Sequence, residues 1–192
     1  MLDPCADSAQ LLYPCVLFSK QRFCLSKKRN DKKVLMPVGD CMEGYEVIVP
    51  FQALESLGVI VDVICSGTKK GNAITTAIQD FTGCQIYVEM RGHSFIIRKT
   101  FDEVDVVECQ GLYITGGRVP QYIRLKQKVL EFTRRFFNHN LPVAALCHGI
   151  RVLVAAGVTE SRTLTCYPAL SPGVRVAGGK YKEVLPTETV ND

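Results

Sequence analysis

The chain has 192 residues, 47% of them apolar, and a formal net charge of +4. That length suits one domain with a sizeable core and some chain to spare. No apolar run reaches 18 residues, so no membrane-spanning helix is expected, and the charge is too local to mark the whole chain as a nucleic-acid binder.

The charge sits at the amino terminus. Residues 1–33 hold seven Lys and Arg against three Asp, whereas 34–192 hold sixteen of each sign. Lys27-Lys28-Arg29 and Lys32-Lys33 have no aromatic residues between them, the pattern of a solvated tail rather than of a nucleic-acid or membrane surface. Residues 1–31 are therefore read as a basic, disordered extension. Asp3 and Asp7 stand too early for a signal peptide, and a transit peptide would be poor in acids.

Regular structure begins near Lys33. Residues 34–38 read as a short buried strand, broken by Gly39-Asp40. In 45–57 the apolar Val47, Ile48, Phe51, Leu54 and Leu57 recur every three or four residues, which predicts a helix with Pro50 inside its pattern and Gly58 at its end. A β-branched run at 59–65 predicts a second buried strand. Residues 66–100 are less regular, with 74–81 and 85–89 suited to a small hairpin or inserted layer. A third core strand is expected at 111–114, closed by Gly116-Gly117. A second helix follows at 125–137, with Val129, Phe132, Phe136 and Phe137 inward. A fourth strand at 141–146, a third helix at 149–156 ended by Gly157, and a fifth strand at 164–167 complete the series. After these come short apolar pieces at 174–176 and 181–185 and no further helix to cover the sheet. The order predicts an α/β fold, a flavodoxin-like, doubly wound, mostly parallel sheet in a three-layer α/β/α sandwich.

The segment Pro142-Val-Ala-Ala-Leu-Cys147-His148-Gly149 runs an apolar strand into an apolar helix with Cys-His-Gly at the joint. A nucleophile there stands at the carboxyl edge of the sheet, where α/β folds bind ligands. The helix N–H groups favour its thiolate, so Cys147 is expected to be the most acidic of the nine thiols. Gly116 and Gly117, at another strand's carboxyl end, expose N–H groups suited to an oxyanion, although a plain tight turn needs the same residues. Glu43 and Glu46 flank the start of the first helix. Either fits a helix dipole, but Glu46 precedes the apolar face and is expected to turn inward to Cys147, as an acid that shares protons with it. The cysteines form no C-x-x-C pair and no zinc-like spacing, which fits a reducing compartment. Cys41, Cys65, Cys84, Cys109 and Cys166 are expected in the core, and His93 and His139 on the surface.

Together these segments resemble the DJ-1/PfpI superfamily, of the class I glutamine-amidotransferase-like fold. The resembling pieces are Gly39 to Leu54, Arg91-Gly-His-Ser-Phe, Thr100-Phe-Asp-Glu-Val-Asp, Gly116-Gly-Arg-Val-Pro-Gln-Tyr and Cys147-His-Gly, within roughly residues 32–185. The likeness is greatest to one domain of the tandem-domain plant members, many described as glyoxalase III enzymes. It implies Cys147 as nucleophile, Glu46 as the buried acid, His148 as a backbone donor and proton carrier, and Gly116, Gly117 and Gln121 around an oxyanion pocket. It also implies cofactor-independent conversion of glyoxal or methylglyoxal to glycolate or lactate, with deglycase activity related, and no metal, glutathione or organic cofactor.

The expected partners are a small reactive carbonyl substrate and a second copy or like domain, with neither nucleic acid nor membrane. A cytoplasmic setting is expected, with the nucleus or an organelle as further locations. This sequence departs from the family in three ways. Gln121 stands where an acid is usual, Ile114-Thr115 replaces Ile-Pro, and the domain over 32–192 lacks the family's last strand and helix, which predicts bare apolar surface there. An amidotransferase is excluded by Ala145 and by the lack of an H-x-E motif. The alternative of another class is a non-catalytic thiol redox sensor or chaperone-like protein, in which Cys147 is oxidised rather than turned over.

Overall fold

The computed structural model describes residues 32–192 apart from 81 and 84, together with the backbone of 15–18. In chain order the elements are β1 (Cys15–Phe18), β2 (Lys33–Val38), α1 (Gly44–Ser56), β3 (Ile60–Cys65), β4 (Ala73–Asp80), β5 (Val88–Ile96), β6 (Gly111–Ile114), α2 (Val119–Ile123) and α3 (Gln127–Asn138). β7 (Val143–Leu146), α4 (Ile150–Ala156), β8 (Thr163–Leu164), α5 (Ser171–Val176), β9 (Lys180–Tyr181) and β10 (Thr189–Asn191) follow.

The central sheet has the order β10-β1-β7-β6-β2-β3. β3, β2, β6 and β7 are parallel, as apolar strands separated by helical crossovers must be. Every residue of β2 after Lys33 is buried, which fits a strand covered on both faces. Pro37 does not break this sheet. β2 pairs with β6 only at Val34 and Leu35, so Pro37 lies beyond that ladder, where the two strands part. The chain order reverses between β2 and β6, and the parting opens the crevice that α/β folds use for ligands. Helix α1 packs on β3, α3 on β6, and α4 on β7. The core is closed by fully buried side chains such as Leu35, Ile64, Ile114, Phe136 and Leu153. The doubly wound α/β fold is as the sequence predicts. Among the described residues, no helix is long and apolar enough to cross a membrane.

Four expectations need correction. Cys15–Phe18, read as part of a disordered tail, forms β1, antiparallel to β7 and parallel to β10; the rest of 1–31 lies outside the described residues. Residues 164–167 do not join the central sheet. Only Thr163–Leu164 is extended, paired with β9 in a separate ribbon, because the edge of β7 is taken by β1 and the chain turns at Pro168. Helix α2 precedes the predicted second helix, and a break at Leu125-Lys126 separates it from α3. The apolar piece 174–176, not assigned to a helix from the sequence, belongs to the six-residue α5, which packs on α4 with Val174 buried.

The hairpin expected in 66–100 is β4–β5, with an irregularity between Thr75 and Ala77. Cys65, Cys109 and Cys166 are buried, Cys41 is half-buried, and Cys84 lies outside the described residues. His93 and His139 are exposed.

Candidate active site

Three strand ends converge on one crevice: Gly39 after β2, Gly116-Gly117 after β6, and Cys147 after β7. Cys147 has φ +49°, a left-handed conformation that residues with a side chain rarely hold. Such backbone costs about 1–3 kcal/mol and persists where the surroundings impose it. Here the strand passes through the short 3₁₀ turn Cys147–Gly149 directly into α4, in the manner of a nucleophile elbow. The turn leaves the side chain buried rather than pushed out into solvent. Cys147 is 2% exposed.

Glu46 lies in the first turn of α1 and is 3% exposed. The Gly116 N–H donates to its Oε2 at 2.6 Å. Its other oxygen, Oε1, is buried without a hydrogen bond of good geometry, and the carboxyl interacts with the Cys147 thiol. Burial pushes the Glu46 carboxyl up to about 8, against the pull of the Gly116 N–H. It is therefore mostly neutral at pH 7. Gly116 is the only residue type that fits between acid and thiol. A Cβ there would stand 2.2 Å from Glu46 Oε2 and 2.7 Å from Cys147 Cβ. Gly117, at φ +73°, would strike the Glu43 nitrogen and the Cys41 carbonyl if it carried a side chain.

Pro50 explains how the main chain of Glu46 is held. A proline has no N–H to give to the carbonyl four residues earlier. That carbonyl belongs to Glu46, and the Tyr113 hydroxyl from β6 donates to it at 2.7 Å. The sheet thus supplies the bond that α1 lacks, and grips the acid from behind.

The sulfur also meets His148, whose Nδ1 is 3.1 Å away. Burial, with the nearby Arg151 charge, lowers His148 to about 4, so the ring is neutral at pH 7. The Tyr87 hydroxyl lies 3.5 Å from its Nε2. With Nδ1–H the ring donates to a thiolate, and with Nε2–H it accepts from a thiol, so His148 can follow the proton on sulfur. Tyr167 stacks on His148 at 5.0 Å between centroids, and Tyr87 meets both rings edge-on.

The expectation that Cys147 is an acidic thiol is not met in this closed geometry. Burial first, then the Glu46 charge, raises it; backbone N–H groups of His148 and Gly117 aimed at the sulfur lower it. Taking the thiol out of water outweighs the two donors. The acid and thiol form a coupled pair in which one proton lost from either makes the second harder to remove.

Cys147, Glu46, His148, Gly116 and Gly117 are thus brought together. Gln121 is not. It is exposed on α2, and no hydrogen bond among the described residues joins it to the others. Glu43 is buried but serves structure: its oxygens accept from the Tyr45 and Gln79 N–H groups, which caps α1 and ties it to β4. Tyr87, Tyr113, Tyr167 and Arg151 were not anticipated. Only Tyr113 had a signal, the orphan carbonyl that Pro50 creates. Among the described residues, no group of three or more His, Cys, Asp and Glu could hold a metal ion.

A model described as the DJ-1/PfpI family matches residues 32–192. Protein DJ-1 homolog D of Arabidopsis thaliana is 44% identical over 156 residues, covering 81% of this chain and 40% of that protein. Deglycase PfpI of Pyrococcus furiosus is 31% identical over 149 residues, covering 78% of this chain and 80% of that protein. The crystal structure of Drosophila melanogaster DJ-1beta matches with a TM-score of 0.66 at 18% identity, over 84% of this chain and 82% of that one, a likeness of fold. The chain spans about two fifths of the length of the Arabidopsis relatives it matches.

Proposed function

The chain belongs to the DJ-1/PfpI family, and from that membership we propose that it is a cysteine-dependent enzyme acting on small reactive carbonyl compounds. Relatives named as deglycases support the broad reading. Within it we infer a glyoxalase III-type reaction on glyoxal and methylglyoxal. The observation that carries this is a carboxyl held neutral up to about pH 8 against a buried thiol, because isomerising a 2-oxoaldehyde needs one nucleophile and one group able both to give and to take a proton.

The steps balance without an outside oxidant. The Cys147 sulfur adds to the aldehyde carbon of methylglyoxal. The carbonyl oxygen takes the Glu46 proton, and Glu46 takes the thiol proton. The N–H groups of His148 and Gly117 steady charge on sulfur as it forms. The hydrogen on the former aldehyde carbon then moves, as a proton, to the neighbouring carbon through an enediol, and a thioester remains. Water cleaves the thioester, giving lactate and restoring the thiol. A second copy or like domain as partner, and a cytoplasmic setting, belong to the same proposal.

The test is lactate formation from methylglyoxal by the purified chain without glutathione. Cys147→Ser is expected to reduce it by about 10³-fold or more. A wild-type chain that forms no lactate, yet is oxidised at Cys147 by dilute peroxide, would favour the redox-sensor reading instead.

A further inference from the structure

We propose that the Cys147 crevice is adapted to carbonyl compounds that carry a carboxylate, which Arg151 would hold with Arg124 beside it. This rests on the reading of Cys147 as a nucleophile toward carbonyls and names the class of compound it would meet.

Arg151 follows Cys147 by four residues and His148 by three, across the turn that enters α4. That puts Arg151 in the first turn of α4, directly after the turn that carries the site, and its charge acts on the His148 ring. Its Nε is buried and has no hydrogen-bond partner among the described residues. Helix α2 packs against α4, and its C-terminal cap is Arg124. The two guanidinium charges are close enough to repel, and burial further disfavours the charge on Arg151. Lys33, Arg98, Lys99, Arg118, Lys128 and Arg162 form ion pairs with carboxylates, and none of these pairs involves Arg124 or Arg151.

Two neighbouring cations, one with a buried donor left over, are unfavourable in the empty protein. An anion between them relieves the repulsion. A carboxylate suits this place because its two oxygens match the guanidinium fork. The position relative to the sulfur gives it meaning. The Arg151 charge is felt by His148 and by Tyr87, and His148 touches the Cys147 sulfur. A bound molecule could therefore reach the thiol with its aldehyde and the arginines with its far end. Methylglyoxal leaves the arginines empty. A 2-oxoaldehyde bearing a carboxylate fills them.

The experiment compares iodoacetate with iodoacetamide, reagents of equal size that differ in charge. In both, the Cys147 sulfur displaces iodide from the methylene carbon and the thiol proton passes to buffer. The ratio of the iodoacetate rate to the iodoacetamide rate is expected to be about tenfold higher in the wild-type chain than in Arg151→Gln, the scale of one charge-assisted hydrogen bond. Arg151→Lys should recover part of it, and Arg124→Gln, a substitution at a helix end, should lower it without entering α4. The same variants should lower kcat/KM for 4,5-dioxopentanoate more than for methylglyoxal. Equal ratios in wild type and both Gln variants would overturn the proposal. A ratio that behaves as expected in a chain that does not turn over methylglyoxal would instead overturn the carbonyl-isomerising reading and leave the anion seat standing.

Discussion

Six strands make one sheet, yet its two flanks are assembled differently. At the carboxyl ends of β2, β6 and β7, polar groups are tied from one element to another: the Gly116 N–H to Glu46, the Tyr113 hydroxyl to the Glu46 carbonyl, and Gln79 to Glu43. On the other flank, β1 and β10 are held by ladders of three or four residues, and the β8–β9 ribbon by two. Among the described side chains, Val190, Leu164 and Val174 are buried on that flank. Its ion pair, Arg162 to Asp192, is partly exposed and contributes little. One flank spends its contacts on placing atoms, the other on closing the core. Chemistry and stability should therefore respond to different substitutions.

The largest effect is expected at Glu46. Glu46→Gln keeps the shape and removes the titrating proton, so turnover of methylglyoxal should fall by about 10²- to 10⁴-fold. Stability should move the other way at high pH. The folded carboxyl has its pKa raised to about 8, while the unfolded one sits near 4.3. Between these values the folded state holds the proton that the unfolded state has lost, so wild-type stability declines as pH rises through that window. Thermal unfolding from pH 5 to 9 should show the wild type losing ground against Glu46→Gln; parallel curves would mean that Glu46 is ionised in the folded protein.

A smaller loss is expected from Gly116→Ala. The added methyl would meet Glu46 Oε2 and the Cys147 β-carbon well inside contact distance. Displacing either by about 1 Å should cost on the order of 10²-fold in kcat/KM, with about 1–3 kcal/mol of stability lost to overpacking. Retained activity in Gly116→Ala would show that acid and thiol need not flank this backbone.

The smallest effect sharpens the contrast. Val190 in β10 is 4% exposed, and Val190→Ala should cost about 1–2 kcal/mol by leaving a cavity. Its kcat should stay within about twofold, since the change lies outside the hydrogen-bonded site. A large fall in kcat with an unchanged melting temperature would break the distinction between the flanks.

Much of this was legible in the sequence, and the reasons are local. Strands β2, β3, β6 and β7 and helices α1, α3 and α4 announce themselves through apolar spacing that needs no knowledge of the partner. The elbow at Cys147 follows from a strand that meets a helix with no linker. Which strand lies beside β7 depends on pairing between segments more than a hundred residues apart, so 164–167 was assigned to the sheet and 15–18 was not. Helix α2 has five residues, too few for periodicity to register. At the site, residues joined by backbone geometry were found, while Tyr87 and Tyr167, which reach His148 from elsewhere in the chain, left no pattern. Gln121 was named by resemblance, and the structure turns it outward.

The place of β1 sets a timetable for the chain. Cys15 lies opposite Leu146 on one side and Thr189 on the other, so this apolar segment has no partner in the sheet until β7, far along the chain, has been synthesised. Its second neighbour, β10, is made later still. During translation the four parallel strands can gather before β1 docks, while the segment Cys-Val-Leu-Phe waits as an unpaired, sticky edge of the kind that chaperones shield. Closure of this sheet is a late, long-range event, and loop-closure entropy makes such events slow. Residues 15–18 are thus made before the sheet they join and dock after it has formed.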